Sequence, residues 1–120
     1  MKCKLDMISE NLRNQILDFR KLRDWERFHT PRNLATAILN EASELLEPFR
    51  WSTTSDEHEI VKAKKKELAN EIADIAILIT LFTHDLNIDL NIAIEEKLKS
   101  NSIKYPIEKS RGSSKKYTDL

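Results

Sequence analysis

One glycine, three prolines and one cysteine in 120 residues are scarcities that each exclude something. Gly and Pro punctuate turns, so a chain this poor in them is expected to reverse direction rarely and to form long helices. Cys3 has no partner for an internal disulfide and cannot build a thiolate metal cluster, which fits a reducing cytosol. Charge of one sign is also missing: 20 Lys and Arg balance 20 Asp and Glu, so no global field favours a nucleic-acid polymer. Long apolar runs are missing too. The longest, residues 75–82, falls far short of the roughly 20 residues a membrane helix needs, and no signal peptide is visible, so neither a membrane partner nor export is expected. No internal repeat and no Gly-rich phosphate loop is present.

What remains is 40% apolar and 33% charged, the balance of a soluble helical protein with one modest core. The periodicity predicts four helices. The first spans about 9–27, with Ser9 as cap and Ile8, Leu12, Ile16, Phe19 and Leu22 facing the core. The second runs from Pro31 to Pro48 or Phe49, with Thr30-Pro31 as a cap and first-turn proline. The third runs from about Asp56 to Leu86, capped by Ser55 or Asp56. Its first half carries the charges, including Lys62, Lys64, Lys65 and Lys66, most simply a solvated face. Its second half is apolar on nearly every side. A helix apolar all round is buried all round, which a monomer this small can hardly achieve, so a subunit interface is expected. The fourth helix spans about 89–104. Residues 1–105 thus read as one helical domain and 106–120, rich in Ser and Lys, as a tail lacking regular structure.

The stretches that carry chemistry are Asn40-Glu41-Ala42-Ser43-Glu44-Leu45-Leu46-Glu47 and Glu67-Leu68-Ala69-Asn70-Glu71-Ile72-Ala73-Asp74. Wound at about 100° per residue, Glu41 falls inside the apolar arc of Leu34, Ile38 and Leu45. Glu44 falls at its edge, and Glu47 on the polar side with Thr36, Asn40 and Ser43. In the second stretch Glu67, Glu71 and Asp74 form one stripe that continues as Leu78, Leu81 and Phe82. Inward acids are costly unless paired or bound to a cation. Up to five meet here, so something positive is expected between them.

Oxygen ligands without histidine or thiolate suit a hard cation, Mg²⁺ or Mn²⁺, which takes substrate phosphates as further ligands. On the fourth helix Lys97, Asn101 and Lys104 interrupt the stripe of Leu90, Ile94 and Tyr105. They are either snorkelling side chains on a helix edge or inward groups that neutralise a polyphosphate. Trp25, His29 and Trp51 are either simple packing or the walls of a pocket for a flat base. Together these parts describe nucleotide hydrolysis by a metal-oriented water. The bland alternative is a non-enzymatic helical module whose acids pair with Lys and Arg. A di-iron carboxylate bundle needs Glu-x-x-His on each of two helices; of His29, His58 and His84, only His29 follows such a glutamate, Glu26, and it stands at a helix exit.

Read in order, these residues resemble the MazG-type all-α nucleoside triphosphate pyrophosphohydrolases, and within them the dCTP pyrophosphatase branch. The resemblance rests on Arg23-Asp24-Trp25-x-x-Phe28-His29-x-Pro31-Arg32-Asn33-Leu34, then Glu41-x-x-Glu44-Leu45-x-Glu47-x-Phe49-x-Trp51. It continues through Glu71-x-x-Asp74, Asn101-x-x-x-Tyr105-Pro106 and Lys116-Tyr117-Thr118. It implies an all-α four-helix bundle assembled as a homodimer or homotetramer. It also implies Mg²⁺-dependent cleavage of a nucleoside triphosphate to monophosphate and pyrophosphate. By similarity Glu41, Glu44, Glu71 and Asp74 carry the metal, with Glu41 and Glu44 taken as catalytic. Trp25, Trp51 and Asn101 match positions around base and sugar, and Lys97, Lys104 and Tyr105 match the phosphate end. Leu78 stands where the branch often has tyrosine, Ile16 where it often has histidine, and Asn70 where a glutamate is common. The first two changes remove polar groups near the nucleoside, so dCTP or a broader range of deoxynucleotides is expected as substrate, in a pool-sanitising role.

Overall fold

The computed structural model describes residues 7–120; Cys3 lies outside them. All regular structure among the described residues is helical. Four helices of 13 residues or more are present: α1 (Glu10–Leu22), α2 (Pro31–Leu46), α3 (Glu57–Asp85) and α4 (Leu90–Lys104). Among the described residues no single helix is long and apolar enough to cross a membrane. The chain divides into two compact units, residues 1–86 and 87–120.

In the first unit the caps are those the residue types favour. The Ser9 hydroxyl accepts from Leu12 N–H at 3.1 Å and the Thr30 hydroxyl from Asn33 N–H at 3.2 Å, with Pro31 in the first turn of α2. At α3 the expectation fails in part. Asp56 occupies the cap position, but its carboxylate accepts from the Thr53 hydroxyl at 3.0 Å instead of from the helix. α3 is kinked at Lys64 (φ −113°, ψ 15°), inside the lysine run.

The first helix ends earlier than periodicity suggests, at Leu22 rather than Arg27. Asp24 takes φ 53°, in the left-handed region. Trp25 N–H reaches back to the Arg20 carbonyl at 3.2 Å, and Asp24 N–H to the Lys21 carbonyl at 3.0 Å. This pair of bonds is the Schellman ending, which most often uses glycine at the left-handed position. Aspartate is among the few other residues that tolerate it, so the stop carries no glycine signal. A 3₁₀ turn, Glu26–Phe28, leads into α2, and a second, Glu47–Phe49, follows it across Pro48.

α2 lies along α3 as the principal packing of the unit, and α1 meets α3. Among the described residues the fully buried apolar side chains are Leu34, 1% exposed, and Leu81, 4% exposed. Leu12, Phe19 and Leu22, expected to face the core, are exposed, and the buried residue of α1 is Arg20. Ile72 and Ile77 of α3 are exposed as well. These apolar side chains are left uncovered within one chain.

The second unit holds α4, capped by Asp89, whose carboxylate accepts from Ile92 N–H at 3.1 Å. The tail departs from the expectation of no regular structure. It forms a one-turn helix, Ile107–Ser110, opened by Pro106 with φ −61°, and a 3₁₀ turn, Tyr117–Asp119. Proline presets a first turn, but four residues are too few to give a periodic signal.

Candidate active site

Glu41 stands seven residues after Leu34, two helical turns on, so the face of α2 that buries Leu34 also turns Glu41 inward. Glu44 follows one turn later at the exposed edge. Across from them, α3 brings Glu71. Carboxylate oxygens of Glu41, Glu44 and Glu71 all lie within 4.8 Å of one another. Glu41 and Glu71 are half-buried, and each has a buried Oε2 with no hydrogen-bond partner. Two ionised carboxylates can only accept, so a hydrogen bond between Glu41 and Glu71 requires a proton on one of them.

Five acids do not meet. Glu67 turns toward Lys64 at 3.8 Å, and Glu47 pairs with Arg50 at 3.1 Å. Asp74 is exposed and outside the close set of three, yet near enough for its charge to act on Glu41. None of the ion pairs among the described residues involves Glu41, Glu44, Glu71 or Asp74.

The repulsion registers on Glu41, whose carboxyl is pushed up from 4.5 to about 7. The largest cause is Glu71, which can accept a hydrogen bond from a protonated Glu41. Burial comes next, and then the negative charge of Glu44, with Asp74 adding the least. The donor set is oxygen-only and crowded, and two of its oxygens are buried without a hydrogen-bond partner. These residues fit a hard divalent cation.

The aromatic candidates take different positions. Trp25, 43% exposed, packs edge-on against Phe19 (5.9 Å between centroids) and against His29 (6.4 Å). His29 Nδ1 is buried without a partner, and burial followed by the positive charge of Arg20 holds its pKa below the ordinary histidine value. Trp51 is 90% exposed. Leu78 and Ile16 are half-buried in the same unit.

The remaining candidates belong to the second unit. Lys97 is exposed and Asn101 half-buried. Lys104 Nζ lies 5.1 Å from the centroid of the Tyr117 ring, and Tyr105 meets Tyr117 edge-on at 5.9 Å. Periodicity had not linked Tyr117 to either residue.

An ion pair also escapes the sequence reading. Arg20, 3% exposed, donates through Nη1 and Nη2 to both oxygens of Asp85 at 2.8 and 2.7 Å. Beside it Arg13 Nη2 donates to His84 Nδ1 at 3.0 Å. A signal was there: Arg20 lies four residues after half-buried Ile16, and Asp85 four after buried Leu81, so opposite charges occupy core-facing positions on both helices.

The profile of the MazG-like family matches residues 37–120. This chain belongs to the MazG-like family. It is 36% identical over 113 residues to dCTP pyrophosphatase 1 of Rattus norvegicus, covering 92% of this chain and 66% of the relative. To dCTP pyrophosphatase 1 of Bos taurus it is 38% identical over 115 residues, covering 92% and 67%. The chain thus spans about two thirds of the length of these relatives. Its fold is similar to that of a pyrophosphatase from Archaeoglobus fulgidus, with TM-score 0.79 and 34% identity over 86% of this chain and 99% of that one. The resemblance to the MazG-type enzymes and to their dCTP pyrophosphatase branch is borne out.

The acid cluster has a consequence for the metal-free MazG-like chain. Between pH 4.5 and about 7 folded Glu41 binds more proton than unfolded Glu41, so its contribution to stability falls as pH rises through that window and is fully lost above it. Glu41→Gln removes this titration, while the opposing contribution of His29 is common to both proteins and cancels in the comparison. In a chelator, the variant should gain in Tm relative to the parent as pH rises from 4.5 to 8, measured by thermal melts followed by circular dichroism. A difference that does not change with pH would show that Glu41 is not crowded by its neighbours.

Proposed function

We propose that this chain is a divalent-metal-dependent nucleoside triphosphate pyrophosphohydrolase, converting a deoxynucleoside triphosphate and water to the monophosphate and pyrophosphate. The observation that carries the reading is the set of three clustered carboxylates with two buried, unpartnered oxygens. The family and the printed activities of its relatives point the same way. Mg²⁺ is the proposed ion, with Mn²⁺ a workable substitute. Glu41, Glu44, Glu71 and Asp74 would hold it, the first three at close quarters and Asp74 from the rim. A cation bound there supplies charge that polarises a phosphoryl oxygen and acidifies water.

The chain's own residues do the rest. Glu41 and Glu44 are the catalytic acids, with Glu44 reaching solvent from the exposed edge of the cluster. Trp25 and Trp51 offer aromatic faces to a base, with His29 behind Trp25. Each stacked base is worth roughly 1–3 kcal/mol. Asn101 is assigned to the sugar, and Lys97, Lys104 and Tyr105 to the phosphates. Stacking accepts any base, and Leu78 and Ile16 have no hydrogen-bonding group to offer. The substrate is therefore dCTP or a broader set of deoxynucleotides, in a pool-sanitising role that fits a cytosolic setting.

A panel of nucleoside triphosphates incubated with Mg²⁺, with products separated by chromatography, tests the reaction. Monophosphate with pyrophosphate is expected. Diphosphate with orthophosphate would mean a different cut, and no turnover would favour a non-enzymatic interaction module. Glu44→Ala and Asp74→Ala should each lose at least the roughly 10–100-fold that removing even an outer partner of a metal ligand costs.

We also propose that the chain works as a homodimer or homotetramer built on the apolar half of α3, because Ile72 and Ile77 are 56% and 39% exposed in one chain. Light scattering should return twice or four times the 14.0 kDa of one chain, and Ile77→Asp should dissociate or unfold it. A stable monomer in the parent would contradict the assembly.

A further inference from the structure

Among the described residues Arg20 is the one charged side chain that is fully buried, and the reaction proposed above does not use it. Its placement ties three things together. Its guanidinium grips both oxygens of Asp85 at 2.8 and 2.7 Å, joining the last turn of α1 to the last turn of α3. Its carbonyl accepts the N–H of Trp25 at 3.2 Å, the longer-range bond of the Schellman ending. The residue before it, Phe19, makes the apolar contact that such endings carry, here edge-on to the Trp25 ring at 5.9 Å. Trp25 also meets the half-buried His29 ring at 6.4 Å, and both Arg20 and Asp85 act on the charge of that ring. The indole thus touches two rings, and its backbone N–H is tied to the Arg20 carbonyl.

A buried ion pair is weak evidence for stability, since apolar residues of similar volume often serve as well or better. Its best-supported use is to impose one arrangement. A two-pronged Arg–carboxylate contact adds angular definition that a lysine point charge lacks. The turn it governs contains Asp24 at φ 53°, a conformation that survives only where its surroundings hold it.

We propose that the Arg20–Asp85 pair is a positioning device for Trp25, fixing the orientation of the indole on which the nucleotide base stacks. The proposal rests on the reading of Trp25 as a base platform. Arg20 and Asp85 touch no substrate; they act through the turn and through Trp25.

Steady-state kinetics on dCTP with Mg²⁺, joined to a spectroscopic readout, decides the matter. Arg20→Lys keeps the charge and loses the fork. It should raise KM about three- to tenfold, a fraction of the roughly ten- to hundredfold expected for losing the stack in Trp25→Ala, and leave kcat within about twofold. In the Trp25→Ala background the same change should raise KM by less than about twofold, because the platform it positions is gone. An equal factor in both backgrounds would mean a general structural role and overturn the proposal. Should Arg20→Lys fold poorly, Arg20→Met combined with Asp85→Leu replaces the pair by apolar groups. It should melt no lower than the parent yet show the raised KM, and an unchanged KM in that folded protein overturns the proposal.

Independently, with Trp51→Phe leaving Trp25 as the sole indole and no nucleotide present, the near-ultraviolet circular dichroism of Trp25 should weaken when the pair is replaced. If the parent hydrolyses no nucleoside triphosphate, the functional reading fails on that result. The Trp25 signal then decides alone, and an unchanged spectrum refutes positioning.

Discussion

Three carboxylates held within 4.8 Å of one another are the constraint on which the rest depends. Like charges at that separation repel, more strongly where water is partly excluded. The protein meets part of the cost by leaving Glu41 protonated to about pH 7 and part by apolar packing on the same faces. Leu34 stands two turns before Glu41 on α2, and Leu81 follows ten residues after Glu71 on α3; among the described residues these are the two fully buried apolar side chains. Core and cluster are successive layers of one helix pair. The packing of α2 on α3 holds the acids together, and a cation between them would turn that repulsion into attraction.

The burden on so small a core explains other features. Among the described residues only Leu34 and Leu81 are fully buried apolar side chains, and neither belongs to α1. The Arg20–Asp85 fork adds a polar tie between α1 and α3. The apolar side chains left open on α1 and α3, among them Leu12, Phe19, Ile72 and Ile77, are the surface a second copy would cover. In an assembly the core would grow where a single chain is thin.

Much of this was legible in the order of residues. The caps at Ser9 and Thr30 follow from side-chain oxygens placed before apolar periodicity, and the wheel that set Glu41 among Leu34, Ile38 and Leu45 correctly turned it inward. Glu71 followed by the same logic. Periodicity could not rank acids within one stripe: Glu67 shares the face of Glu71 but is claimed by Lys64 a turn earlier, and Asp74 stays outside the close set of three. The end of α1 was unreadable because aspartate occupies the left-handed position that usually announces itself as glycine. Arg20 was passed over because a charged residue on an apolar stripe reads as an interruption until its partner, 65 residues away, is seen. The two turns of the tail, Ile107–Ser110 and Tyr117–Asp119, are shorter than any period can reveal.

The cation is the most exposed point of this picture, and it can be measured without substrate. Mn²⁺ is titrated into the chelator-stripped protein in weakly buffered solution at pH 6.5. Free ion is followed by electron paramagnetic resonance and released protons by an indicator dye. Glu41, pushed up to about 7, is largely protonated at that pH, and a ligating carboxylate must give up its proton. Saturable binding accompanied by proton release is therefore expected, with affinity at least about tenfold weaker in Glu71→Gln. Absence of saturable binding, or binding that Glu71→Gln leaves untouched, would contradict the assignment of these carboxylates as a metal site.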